Sequence, residues 1–132
     1  MLAILIVIIL FIFTPLPILS ADWIFLQEND KGKFFYDAEN MVTSSEETMG
    51  VWLKVVYSVK FKEKEGLKDL HHTVGFWEIH CRDKKIRLLL SSHFSEERQE
   101  ETISPPRVFQ TPDWEPIPTH SVLDALQRVI CK

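Results

Sequence analysis

Two cysteines, Cys81 in mid-chain and Cys131 one residue from the end, stand behind an N-terminal segment with the pattern of an export signal. In a small exported chain an even cysteine count favours a disulfide over two unrelated buried thiols. Such a bridge closes a loop of about 50 residues and contributes roughly 4 kcal/mol in the chain-entropy estimate. It also restricts the chain to folds that bring Cys81 and Cys131 within bonding reach.

The leader is apolar without a break from Leu2 to Phe13, continues through Pro15 and Pro17, and meets its first charged side chain at Asp22. A run of about a dozen apolar residues fits a signal peptide, whereas a membrane-spanning helix needs roughly 20. The pattern predicts a signal peptide over residues 1–21, cut after Ala21 or one residue earlier, and one mature domain over residues 22–132. The competing reading keeps the segment as an uncleaved anchor. No cysteine near the cut offers a lipid acceptor, so the expected location is the periplasm, the cell surface or the medium, with no stable membrane span after removal of the signal. All 15 Lys and Arg and all 19 Asp and Glu fall after the leader, for a net charge of -4. That balance argues against a nucleic-acid partner.

Residues 22–27 and 33–37 are aromatic-rich runs around Asn29, Asp30, Lys31 and Gly32, the chemistry of a β-hairpin turn. Residues 37–41 fit one helical turn, and 43–47 a polar loop. From 51 to 61 the odd positions are Val51, Leu53, Val55, Tyr57, Val59 and Phe61, a period-two pattern that predicts one long strand. A second strand over 73–82 puts Gly75, Trp77, Ile79 and Cys81 on one face and Phe76, Glu78 and His80 on the other. After a tight corner at Arg82, Asp83 and Lys84, a third strand places Ile86, Leu88, Leu90, Ser92 and Phe94 together, paired with the second as a hairpin. Residues 96–101 read as a charged loop and 102–104 as a short edge strand. The prolines at 105, 106, 112, 116 and 118 impose an extended connection that discourages further pairing.

At the C-terminus the period changes, with Val122, Ala125, Leu126, Val129 and Ile130 spaced as one face of a short helix, and Ser121 with Asp124 as its cap. A helix of about ten residues is unstable alone in water and needs a surface to cover. The sheet face that carries Cys81 supplies one, and a Cys81 to Cys131 disulfide would pin the helix across it. On an ideal helix Cys131 points away from the Leu126 stripe, so either the last turn loosens or the bridge wraps the helix end.

The runs Asp22-Trp23, Phe35-Tyr36-Asp37, Val51-Trp52-Leu53-Lys54, Trp77-Glu78-Ile79-His80-Cys81, Trp114-Glu115-Pro116-Ile117 and Val129-Ile130-Cys131 together resemble the bacterial surface-adhesin protein E family across the mature chain. The resemblance implies an α+β fold, an antiparallel β-sheet of about six strands with one C-terminal α-helix on one face, tethered by a disulfide. It also implies surface proteins that bind extracellular-matrix components and plasminogen and that can dimerise. It places a basic matrix-binding segment at Arg82, Lys84, Lys85 and Arg87. The competing interpretation of that segment is a hairpin corner kept soluble by its cations.

Chemistry of other kinds finds little support. The five histidines show no zinc-ligand spacing, and His71 and His72, as neighbours in a strand, are expected to point opposite ways, so no metal site is expected. There is no nucleophile elbow, Cys-x-x-Cys, His-Glu-x-x-His or phosphate loop, so neither an enzyme nor a cofactor is expected. Most aromatics are assigned to the core. Phe76 and Trp77 face opposite sides, however, so one of them leaves the helix-covered face and needs another cover: a second copy, a peptide or loops. The resulting expectation is an exported non-enzymatic binding module for an extracellular-matrix or other protein. The alternative is a soluble periplasmic accessory module that contacts an envelope protein.

Overall fold

The computed structural model describes residues 21–99, 102, 106–110 and 112–132. The leader expected over 1–21 therefore lies outside the described residues except for Ala21, as does most of the edge strand expected at 102–104. Strands β1 (Trp23–Asn29), β2 (Gly32–Asp37), β3 (Val42–Thr43), β4 (Thr48–Tyr57), β5 (Leu70–His80), β6 (Lys85–Ser95), β7 (Arg107–Val108) and β8 (Glu115–Pro116) form one antiparallel sheet. Its order is β1-β2-β4-β5-β6-β7, with β3 beside β4 and β8 beside β6. Helices α1 (Val59–Glu65) and α2 (Val122–Ile130) complete the fold. The antiparallel sheet, the C-terminal helix and the bridge agree with the sequence reading, and α1 is an addition to it.

The opening hairpin turns where Asn29 Oδ1 accepts the Lys31 amide at 2.9 Å. Gly32 follows because β4 approaches closely: a Cβ there would lie 2.1 Å from the Val56 carbonyl oxygen. At the other end of β2, residues 37–41 form no helical turn. The Asp37 carboxylate instead accepts the amides of Asp22 and Glu39, each at 3.0 Å, and the Asn40 side chain at 2.7 Å, tying loop and strand together. Thr43, expected in the polar loop, instead pairs with Met49, and Val42 before it pairs with Gly50.

The strand expected over 51–61 stops at Tyr57. Ser58 caps a helix there, its hydroxyl accepting the Phe61 amide at 3.1 Å, and Gly66 ends the helix in the left-handed conformation at φ 68°. The Lys and Glu residues between them favour a helix, and the alternation of Val59 and Phe61 carried no strand information. The expected hairpin of β5 and β6 is present, but its register slips between Phe76 and Trp77. Beyond that bulge Ser91, not Leu90, faces inward opposite Gly75, so Leu90, Ser92 and Phe94 lie on the outer side. Pairing also extends past the prolines, in the two-residue strands β7 and β8 against β6.

The core lies between the inner face and α2. Val51, Ile79 and Leu126 are fully buried, joined by Phe34, Leu53, Val55 and Ile86. Ser121 caps α2 through the Asp124 amide at 3.1 Å, and the helix turns Val122, Leu123, Leu126 and Ile130 towards the sheet. Leu123 thus replaces Ala125 and Val129 in the expected stripe. Cys81 is bonded to Cys131 with their Cα atoms 5.5 Å apart. Cys131 is the C-cap: its amide still reaches the Gln127 carbonyl at 2.9 Å, but its backbone has left the helix. The bridge therefore grips the helix end without distorting the turn before it.

Leu126→Ala should lower stability by about 2 to 5 kcal/mol, and Val129→Ala by clearly less. Urea unfolding of the oxidised variants measures both, and equal losses would contradict this placement of the helix.

Candidate functional site

Both helices sit on one side of the sheet. Phe61 of α1 stacks on inward Tyr57 with ring centroids 5.5 Å apart, and α2 closes the core. The opposite face is lined instead by aromatics. Phe25 and Phe35 meet edge to face at 5.8 Å, Trp52 and Phe76 at 4.9 Å, and His72 stacks flat on Phe94 at 4.4 Å. Phe25 remains 54% exposed, with Val42 at 51% and Val108 at 67% on the same side.

In the middle of this face stands Lys54. Its Nζ is 4.7 Å from the Trp23 ring centroid and 5.6 Å from that of Phe35, and no described carboxylate pairs with it. Burial among these rings holds its ammonium below the usual lysine range. Sequence reasoning missed this residue. The alternation set Lys54 outward, but its aromatic flank follows from register, with Phe35 opposite Lys54 across β2 and β4.

The four basic residues at the β5–β6 corner are not equivalent. Arg87 is bound to Glu78 at 2.7 Å and lies 4.2 Å over the Trp114 ring, and Arg82 reaches Glu47 at 3.1 Å. Lys84 and Lys85 are exposed and make no ion pair with described residues. Lys84 occupies the turn at φ 51°, where its carbonyl accepts the Ile117 amide at 3.1 Å. The corner thus presents two available cations beside an aromatic face.

The histidine pair differs from expectation. A second register shift between Leu70 and His72 brings the rings of His71 and His72 together, Nδ1 to Nδ1 2.7 Å, instead of to opposite sides. Among the described residues no group of three or more His, Cys, Asp and Glu is placed to hold a metal ion, and no helix is long and apolar enough to cross a membrane.

A disulfide-stapled sheet with both described helices on one side, and aromatics and a cation without a described carboxylate partner on the other, defines a small binding module. The chain belongs to the surface-adhesin protein E family, whose profile matches residues 23–132. It is thus a surface-adhesin-like module. No curated protein and no solved structure matches it.

Burial, His71 and Lys54 together push His72 down to about 4, from an ordinary 6.5. Between those values the unfolded chain takes a proton that the folded one refuses, so stability should fall as pH drops from about 6.5 to about 4 and level off below. In His72→Gln the thermal midpoints at pH 7 and pH 5 should lie closer together than in the parent. An unchanged difference would contradict the assignment.

Proposed function

We propose that the chain acts as an exported, non-enzymatic module that binds an extracellular-matrix protein through its outer sheet face and the basic corner beside it. The observation that carries this reading is the aromatic face, on which neither described helix packs, with Lys54 at its centre and no described carboxylate paired with it. An apolar patch rimmed by charge is the form a protein-binding surface takes. Lys84 and Lys85 supply the rim, where cations act mainly on encounter and register. The apolar leader supports export. Arg82 and Arg87 contribute as supports, Arg87 by holding Trp114 against the sheet.

Binding of the oxidised protein to a panel of immobilised extracellular-matrix proteins tests this reading. Replacing Lys84 and Lys85 together by Ser should weaken binding a few-fold at low salt and progressively less as salt rises. Phe25→Ser, at an exposed position, should weaken it regardless of salt. Binding unchanged in both variants, or none to any panel member, would overturn the reading. An envelope protein captured in its place would favour the accessory role.

A further inference from the structure

The inner face is only partly roofed. Helix α2 covers Val51, Ile79 and Ile86, and beside its first turn lies a groove of about 580 Å³ bounded by Val122, Leu123 and the sheet. Its depth has a cause in the sequence. The bulge in the β5–β6 pairing sets Ser91, in place of Leu90, opposite Gly75, so the floor carries a hydroxymethyl group beside a glycine where a leucine side chain would otherwise rise towards the helix. The Trp77 indole leans over the gap: a Cβ on Gly75 would stand 3.0 Å from its Nε1. Phe34, Leu53, Val55 and Leu88 complete the apolar lining. The volume falls within the range of about 300 to 1,000 Å³ usual for small-molecule sites.

The charge that lines the groove is of one sign. Among the described residues lining it there is no Asp or Glu, and the cationic groups are Lys31 and, when protonated, His120. Lys31 makes no ion pair with any described residue, and its Nζ lies 6.0 and 5.7 Å from the ring centroids of Tyr57 and Phe61. The neighbouring polar side chains are committed to one another: Tyr57 Oη donates to Thr73 Oγ1 at 2.8 Å, and Thr73 Oγ1 meets His93 Nδ1 at 2.7 Å. Trp77 Nε1 has no acceptor among the described residues. In a chain of net charge -4 this is a local reversal, an apolar trough with an unpaired ammonium at its mouth.

We propose that this groove binds a single alkyl chain with an anionic head, a fatty-acid-like amphiphile taken up as one molecule. The alkyl chain lies over Ser91 between Trp77, Leu88 and Leu123, and the head meets Lys31 at the Tyr57 end. Lys31 supplies the charge complement, and the absence of any described carboxylate in the lining removes the repulsion that would reject such a head. The site is on the side of the sheet opposite the aromatic face and is independent of the protein-binding reading.

Isothermal titration calorimetry of the oxidised full chain with dodecanoate below its micelle concentration tests the proposal, with phosphatidylglycerol vesicles in parallel. The expected result is saturable one-to-one binding, weakened about fivefold or more in Lys31→Gln, retained in Lys31→Arg and lost in Ser91→Leu, which fills the floor. Lys31 is exposed, so its variants keep the test decisive if Ser91→Leu fails to fold. No saturable binding, binding indifferent to Lys31→Gln, or heat with vesicles alone would overturn the proposal.

Discussion

The bond between Cys81 and Cys131 joins the turn after the central strand β5 to the C-cap of α2, and the asymmetry of the molecule follows from it. A nine-residue helix has too few hydrogen bonds to persist alone in water. Docked, it supplies Leu126, without which Val51 and Ile79 would face solvent. The bridge fixes only the C-terminal end of α2. Its N-terminal end rests on Val122 and Leu123 at the border of the open groove, so the same tether that closes the core leaves the other half of the inner face accessible.

Two irregularities in the pairing of β5 with β6 shape what the faces present. The slip between Phe76 and Trp77 turns Ser91 inward and Leu90 outward, hollowing one side and enriching the other. The slip between Leu70 and His72 gathers two imidazoles beside Lys54, so burial and like charge keep His72 neutral down to about pH 4, well below where a free imidazole takes a proton. Neither changes the fold, and each decides which chemistry meets the solvent.

Much of this was legible in the sequence. Val51, Leu53 and Val55 alternate into the core as their spacing requires, and Cys81 and Cys131 pair as an even count in an export pattern predicts. What escaped depends on information outside a local period. Val59 and Phe61 continued the alternation of β4 while Ser58 and Gly66 were already marking helix ends, and capping outweighed a two-residue coincidence. Strict alternation along β6 misplaced Leu90, because a bulge depends on the partner strand. Of the basic cluster, composition could count Arg82, Lys84, Lys85 and Arg87 but not show that Glu47 and Glu78 engage two of them. Lys54 became visible only when register brought Phe35 and Trp23 to its sides.

The disulfide is the reason that α2 stays on the sheet. Amide hydrogen exchange before and after complete reduction tests that most directly. Amides of Val122–Ile130 should lose their protection on reduction while those of β4 and β5 retain theirs. Helix protection unchanged in the reduced protein would contradict it.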